Sequence, residues 1–111
     1  MAKPSASKRV RELNDTFRRS FIGGRVVMTA GVNGLAPEIR SRVIEKVQAF
    51  DSFTADNDPY LEHDFGSVEE AGEKFFWKID YFDPSLTGGS EDAGDPTKTA
   101  RVLTIMLAAE Y

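Results

Sequence analysis

The chain of 111 residues has the usual length of one domain, so we expect a single domain over residues 1–111, with residues 1–6 disordered. Its 41% hydrophobic and 29% charged residues are typical of a globular protein and exclude a disordered chain. The absence of cysteine excludes disulfides, thiolate metal sites and thiol nucleophiles. Since neither a secretory signal nor a membrane span is recognisable, we expect a cytosolic protein without a membrane partner.

The net charge of −4 is distributed unevenly along the sequence. Residues 1–50 contain ten Lys/Arg against four Asp/Glu, whereas residues 51–95 contain two Lys against thirteen Asp/Glu. Such asymmetry indicates either a surface for a charged partner or two halves that attract each other within the fold. The sequence leaves both interpretations open.

The first predicted element is an amphipathic helix that begins after Ser7, whose hydroxyl is suited to cap it. Gly23 and Gly24 are expected to end the helix, because glycine adopts the left-handed conformation without a Cβ clash. The apolar stripe of this helix contains Val10, Leu13, Phe17 and Phe21. Its outer face is predicted to carry Lys8, Arg9, Arg11, Arg18 and Arg19. A basic face of this kind suggests nucleic-acid binding as a less favoured function.

Residues 25–29 are β-branched and apolar and predict a strand, and residues 31–34 predict a turn. A second helix is expected to begin at Pro37, because proline is favoured in a first helical turn. Its apolar stripe contains Ile39, Val43, Ile44, Val47 and Phe50. Residues 51–63 then form a polar loop that is long enough to suggest a function.

Residues 64–69 and 74–82 predict a β-hairpin that turns at residues 70–73. Residues 75–82 place aromatic side chains on both faces, which is typical of a central strand and favours core packing over a base-stacking platform. A glycine-rich loop at residues 84–95 and a short helical turn at Asp95 follow. By periodicity alone residues 101–108 fit a strand or a helix, and their β-branched residues favour a strand. We therefore predict an α+β fold, with two helices packed on one face of an antiparallel sheet of about four strands.

The densest polar cluster surrounds the single histidine. The candidate binding residues are Asp56, Asp58, Tyr60, Glu62, His63 and Asp64, together with Lys78 and Asp80 on one face of the predicted strand. A histidine beside carboxylates suits general-base chemistry or a divalent metal, for which Asp58, Glu62, His63 and Asp64 are the candidate ligands. However, polar loop residues often bond only to their own backbone, and no nucleophile motif is present, so no catalytic residue is assigned.

Three blocks of the sequence resemble a small bacterial family of unknown function. They are residues 57–66, which contain Asn-Asp-Pro-Tyr and Glu-His-Asp-Phe-Gly, residues 75–83 (Phe-Phe-Trp-Lys-Ile-Asp-Tyr-Phe-Asp) and residues 101–111. The resemblance extends from the Arg-Glu-Leu-Asn segment at residues 11–14 to Tyr111. It implies a protein of plasmids or integrative elements, and it supplies no activity and no catalytic residue.

Two functions of different classes follow. We favour a non-enzymatic binding protein that modulates a nucleic-acid-handling or defence protein through its acidic region, residues 51–95, because dense carboxylates can imitate phosphates. This hypothesis requires those carboxylates to share one face and not to be buried or paired with the helices. The alternative is a small metal-binding or metal-assisted enzyme centred on the Glu62–Asp64 loop, which requires its candidate ligands to converge. The oligomeric state is left open, and no cofactor other than a divalent metal is considered.

Overall fold

The described residues form an α+β fold of two layers. The structure is a computed structural model that describes residues 4–111 and their side chains from Ser7 onward. In chain order its elements are α1 (Pro4–Ser20), β1 (Arg25–Met28), α2 (Ala30–Asn33), α3 (Pro37–Gln48), β2 (Phe65–Glu70), β3 (Glu73–Phe82) and β4 (Ala100–Leu107). Two 3-10 turns, Pro96–Lys98 and Ala108–Glu110, flank β4. In this part of the chain, no helix is long and apolar enough to cross a membrane.

The four strands lie in the order β1-β4-β3-β2. The β2–β3 and β3–β4 pairs are antiparallel, but β1 runs parallel to β4, with Val26 beside Leu103. The prediction of a four-stranded sheet is therefore confirmed. The prediction that all strands pair antiparallel was wrong, because β1 pairs parallel to β4. Because β1 joins β4 only after the chain has passed through two helices and the hairpin, its direction does not depend on a local turn.

The core lies between one face of the sheet and the helices. Phe75, Trp77 and Ile79 point to this face from β3, and Leu103 and Ile105 point to it from β4. Helices α1 and α3 cover it with Phe17, Val43 and Val47. Both helices therefore pack on one face, as predicted. At the hairpin, Ala71 and Gly72 both adopt positive φ (54° and 80°), the conformation of a two-residue turn that matches the strand twist.

The first helix differs from its prediction at both ends. It begins at Pro4, so Ser7 lies inside the helix and does not cap it, and residues 1–3 lie outside the described part of the chain. It ends at Ser20, and Phe21 adopts the left-handed conformation that was expected of Gly23 or Gly24. The Phe21 amide donates to the Phe17 carbonyl at 2.6 Å, which closes the last turn.

Smaller differences concern the short elements. Residues 30–33 form a single helical turn, α2, in place of the predicted loop turn, because the amides of Asn33 and Gly34 donate to the carbonyls four residues earlier. The predicted short helical turn after Asp95 is confirmed, and the Asp95 carboxylate accepts from the Thr97 amide at 2.9 Å. The last element is a strand, as its β-branched residues favoured.

Candidate functional site

The loop of residues 51–64 packs against α1, and Asp58 organises its second half. One carboxylate oxygen of Asp58, Oδ1, accepts hydrogen bonds from the backbone amides of Glu62 and His63, both at 3.0 Å. The side chain is 3% exposed, so these bonds lie in a largely water-free environment. Asp58, a candidate binding residue and metal ligand in the sequence, thus bonds the backbone of its own loop, as polar loop residues often do.

The backbone of the same loop is strained at two non-glycine residues. Leu61 and His63 both adopt positive φ, at 59° and 55°. For a residue with a Cβ this conformation costs about 1–2 kcal/mol. The strain is offset by side chains of α1: Arg11 donates to the Leu61 carbonyl at 3.1 Å, and Asn14 donates to the Glu62 carbonyl at 2.9 Å. Strained backbone held by neighbouring structure is found preferentially at functional sites.

His63 lies between two carboxylates. Its Nδ1 is 2.9 Å from Oδ1 of Asp15 in α1, and its Nε2 is 3.4 Å from Oδ2 of Asp58. Its ring stacks on Phe53, with 3.7 Å between the ring centroids and an angle of 2° between the planes. Both ring nitrogens thus face side chains of the protein itself. A general base needs a free nitrogen at the substrate, and this geometry does not provide one.

Arg18 extends the group around Asp15 into the core. Its Nη1 donates to Asp15 Oδ1 at 2.9 Å and its Nη2 donates to the Phe50 carbonyl at 3.0 Å. The guanidinium lies over the rings of Phe53 and Trp77, 5.4 Å and 5.2 Å from their centroids. Burial lowers the pKa of Arg18 from its usual value, against the opposing effect of Asp15. Arg18 is fully buried, so its predicted place on the outer face of α1 was wrong.

A second polar network joins α1 to the two central strands. The hydroxyl of Tyr81 donates to Asp64 Oδ2 at 3.0 Å and accepts from Asn14 Nδ2 at 2.7 Å. Asn14 Oδ1 in turn accepts from Arg101 Nε at 2.8 Å. Burial raises the pKa of Asp64 and that of Tyr81, because both charged forms are poorly solvated there. Asp64 therefore belongs to a structural network that faces inward.

The four candidate metal ligands do not converge. Asp58 binds backbone amides, Asp64 binds Tyr81 and His63 lies between Asp15 and Asp58. Burial, followed by the nearby charges of Asp64 and Asp58, raises the pKa of the Glu62 carboxyl. Among the residues that the structure describes, no group of three histidine or acidic side chains is placed to hold a metal ion. The metal alternative thus has no ligand set in this part of the chain.

Lys78 and Asp80 lie on the opposite face of the sheet from the loop. Their alternation along β3 points them away from the helices, next to each other, with 3.0 Å between Lys78 Nζ and Asp80 Oδ2. Asp58, Glu62, His63 and Asp64 thus lie on the loop that packs against α1, but they do not share one site. Asp56 and Tyr60 lie exposed on the same loop, and the Lys78–Asp80 pair is separate.

The carboxylates of residues 51–95 do not form one acidic face. Asp58 and Asp64 point inward, and Glu70 forms ion pairs with Arg42 and Lys46 of α3, at 2.9 Å and 3.0 Å. Three others accept hydrogen bonds within their own turns: Asp83, Asp92 and Asp95. Glu69 and Asp80 lie on the sheet face away from the helices. The condition for an extended phosphate-like surface is therefore not met.

The basic face of α1 is also used within the fold. Arg9 donates to the Gly94 carbonyl and Arg11 donates to the Leu61 carbonyl. Arg101, from β4, donates to the Ala93 carbonyl beside Gly94. The arginines thus hold the two polar loops in place through backbone carbonyls. Among the described residues, Glu70 is the one acidic side chain of residues 51–95 that forms ion pairs with Lys or Arg of residues 1–50. This leaves fewer cations for nucleic acid than the sequence suggested.

Comparison with known proteins gives a family and no activity. The profile of one family, described as "Protein of unknown function (DUF3768)", matches residues 28–110. The chain belongs to this family. No curated protein and no solved structure matches the chain. The match covers the loop, the hairpin and β4 of this DUF3768 member, but it does not include α1, to which the sequence resemblance had extended.

Asn14, Asp15, Arg18 and Arg101 were not among the predicted site residues, although they complete both networks. The helical spacing of the sequence was sufficient to place two of them, Asn14 and Arg18, on the buried side of α1. Asn14 lies four residues after Val10 and three before Phe17, and Arg18 follows Asn14 by four residues, so both fall on the apolar stripe of α1. A polar residue on a buried stripe indicates a partner in the core.

Proposed function

We propose that this DUF3768 member is a non-enzymatic binding protein that contacts a protein partner through the loop of residues 51–64. The observation that carries the proposal is a pair of neighbouring large side chains at the loop surface. Tyr60 is 75% exposed and Leu61 is 58% exposed. Isolated exposed apolar residues are common, but an adjacent Tyr–Leu pair on a strained and anchored loop is not explained by packing.

The anchoring of the loop supports a binding role. The Asp58 carboxylate accepts hydrogen bonds from the two backbone amides that follow Leu61. Arg11 donates to the Leu61 carbonyl, and Asn14 donates to the Glu62 carbonyl. The positions of Tyr60 and Leu61 are therefore largely fixed before any partner arrives. A preorganised surface loses less conformational entropy on association, and tyrosine is enriched among the residues that dominate binding energies.

The charges around the pair define the chemistry of the partner. The side chain of Asp56 is exposed on the same loop, and Glu62 follows Leu61 directly. An apolar pair on a loop that also carries carboxylates fits a partner that offers a small apolar pocket beside Lys or Arg. Nucleic-acid-handling proteins carry such basic surfaces, so we retain them as the partner class. Binding of this kind depends on the patch around Tyr60 and Leu61 and not on the whole acidic region, residues 51–95.

The test compares three tagged forms of the full chain. They are the wild type, a Tyr60→Ala/Leu61→Ala variant, and an Ile22→Ala/Leu86→Ala variant that removes two exposed apolar side chains elsewhere. Each form is incubated with a nuclease-treated lysate of the encoding organism, and captured proteins are quantified by mass spectrometry. Nuclease treatment removes bridging through nucleic acid.

We expect one protein to be enriched by the wild type and by the Ile22→Ala/Leu86→Ala control, and to be lost from the Tyr60→Ala/Leu61→Ala variant. A photo-crosslinking residue at position 60 should then form a covalent product with the same protein. Equal capture by all three forms, or no enrichment by any of them, would contradict the proposal. Thermal unfolding of each variant establishes that the loss is not caused by misfolding.

A further inference from the structure

One face of the sheet is not covered by the helices. Because successive residues of a strand point to opposite faces, the neighbours of the buried β3 residues point away from the core. This open face includes Phe76, Lys78, Asp80 and Phe82 of β3 and Val102 and Thr104 of β4, while Met106 on the same face is only 4% exposed. Its partly exposed aromatic rings are followed by Tyr111, whose ring lies 5.3 Å from that of Phe76 at one edge of the face.

The order of side chains on β3 is self-complementary. Over residues 76–82, the open face of this strand presents an aromatic ring, a cation, an anion and an aromatic ring: Phe76, Lys78, Asp80 and Phe82. Lys74 precedes them at the hairpin end of the strand, with its ammonium over the Phe76 ring. A two-fold axis that crosses β3 between Lys78 and Asp80 places Lys78 of one copy opposite Asp80 of the other. The same axis places Phe76 opposite Phe82.

The neighbouring strand β4 obeys the same symmetry. Thr104 lies beside Lys78 and Val102 lies beside Asp80, so the axis places Val102 of one copy opposite Thr104 of the other, two side chains of nearly equal size. Matching of this kind lets two sheets pack face to face at about 10 Å with aligned strands.

We infer that the open face of the sheet is the interface of a homodimer, with Lys78 and Asp80 of each copy forming a reciprocal ion-pair cluster at its centre. In an isologous contact each residue pair occurs twice, which is what the order of side chains on β3 provides. The equal number of cations and anions at the centre does not suit phosphate groups. This inference is independent of the proposed role of the loop, which packs against α1 on the other side of the sheet.

The area of the open face limits how large the dimer interface can be. Four strands about 4.8 Å apart and up to ten residues long offer roughly 500 Å² per copy, or about 1,000 Å² in total. This area lies at the lower limit of specific interfaces. Charged pairs at an interface centre add more to specificity than to affinity. We therefore expect a weak dimer that forms in a concentration-dependent way.

Sedimentation of the full chain from roughly 1 µM to 1 mM covers the range in which so small an interface associates. The mean mass of the wild type should rise from 12.3 kDa towards twice that value. The single charge reversals Lys78→Asp and Asp80→Lys place like charges opposite each other and should keep the protein monomeric over the same range. The double swap Lys78→Asp/Asp80→Lys restores opposite charges across the axis and should restore dimerisation.

The control is Lys98→Asp, which makes the same charge change at another exposed ion pair, 3.4 Å from Glu91, and should dimerise like the wild type. Both Lys78 and Asp80 are 39% exposed, so unfolding temperatures should change little and report whether each variant is folded. A wild type that stays at 12.3 kDa throughout, or a double swap that behaves like the single reversals, overturns the inference. Self-association that no reversal alters overturns it as well.

Discussion

Asn14 Oδ1 accepts a 2.8 Å hydrogen bond from Arg101 Nε, which joins the first helix to the beginning of the last strand. Asn14 also donates to the Tyr81 hydroxyl and to the Glu62 carbonyl, so a single amide group connects α1 with two strands and with the loop of residues 51–64. Arg101 is itself buried, and burial lowers its pKa. In the part of the chain that the structure describes, no carboxylate lies within 4 Å of this guanidinium, so Asn14 is a principal acceptor for it.

Replacing this amide by an apolar group of similar size should therefore be strongly destabilising. In Asn14→Leu, the buried Arg101 Nε and the Glu62 carbonyl lose their partner. An unsatisfied buried group costs about 1–3 kcal/mol, and more where a charge is involved, so we expect a loss of about 3 kcal/mol in the free energy of unfolding. Urea unfolding measures the loss, with Asn33→Leu at an exposed position as the control. A loss below about 1 kcal/mol would contradict the central role of Asn14.

The loop conformation depends on the Asp58 carboxylate. In Asp58→Ala, the amides of Glu62 and His63 lose their acceptor and the left-handed conformations of Leu61 and His63 lose their support. We expect the free energy of unfolding to fall by about 1–3 kcal/mol and hydrogen exchange at these two amides to accelerate. Asp58→Asn keeps an acceptor oxygen and should preserve their protection. Equal exchange in all three proteins would show that the cap does not hold the loop.

Local patterns were sufficient for most of the fold. The helix from Pro37, the hairpin and the last strand follow from apolar periodicity and from turn residues, which depend on neighbours in the sequence. The direction of β1 does not, because its partner residues in β4 lie 77 positions further along the chain, at a separation that no local pattern encodes. The same limit applies to the polar networks, where Asn14 and Arg101 are joined only by the tertiary fold.

The site residues on the loop were predicted from the sequence, whereas their partners on α1 were not. Asp58, His63 and Asp64 are conspicuous in the sequence because they cluster, and the structure gives each of them a partner. Arg18 was predicted on the outer face of α1, since charged residues are usually solvated, although its spacing from Asn14 places it on the apolar stripe. In the structure its guanidinium is buried over the rings of Trp77 and Phe53.

The pKa of Asp64 makes stability depend on pH in a predictable direction. Burial raises it above its ordinary value of 3.8, so as the pH rises through that value the unfolded chain releases this proton before the folded protein does. Asp64 therefore contributes stability below pH 3.8 that is lost as the pH rises through the raised pKa. Asp64→Asn removes this dependence and keeps an acceptor for Tyr81.

We expect the free energy of unfolding of Asp64→Asn to increase relative to that of the wild type, so that the variant becomes relatively more stable, as the pH is raised from roughly 3 to 7, an interval that spans the titration of a carboxyl with a raised pKa. Chemical unfolding at several pH values measures the trend. The same substitution at the exposed Asp56 serves as the control for the change in net charge. A difference that is constant with pH, or that changes in the opposite direction, would contradict the buried placement of Asp64.

Gly66 in β2 allows Trp77 and Phe50 to approach the strand closely. A Cβ at this position would lie 2.6 Å from Trp77 Nε1 and 2.8 Å from Cζ of Phe50. Gly66→Ala should therefore lower the free energy of unfolding by about 1–3 kcal/mol, as overpacking of a core does. Gly88→Ala is the control, since its nearest neighbour would be a carboxylate oxygen at 3.6 Å. Equal stability of the two variants would show that the sheet accommodates the methyl group at residue 66.

Leu61 separates the structural role of the loop from its proposed binding role. Leu61→Gly relieves a left-handed strain of about 1–2 kcal/mol, while the greater freedom of glycine in the unfolded chain costs about 0.5–1 kcal/mol. The variant should thus be as stable as the wild type or up to about 1.5 kcal/mol more stable, and yet capture less of the partner. Urea unfolding and the capture assay measure the two effects.

Leu86 offers a matched control for that variant, because it is also an exposed leucine with positive φ (61°) but lies in the other loop. Leu86→Gly should gain stability to a similar extent and retain full capture. If Leu61→Gly retains capture as well, Leu61 is not an anchor and its exposure has no role in binding. If both variants lose capture, general loosening of the loops explains the loss better than a specific contact, because only residues 51–64 are proposed to contact the partner.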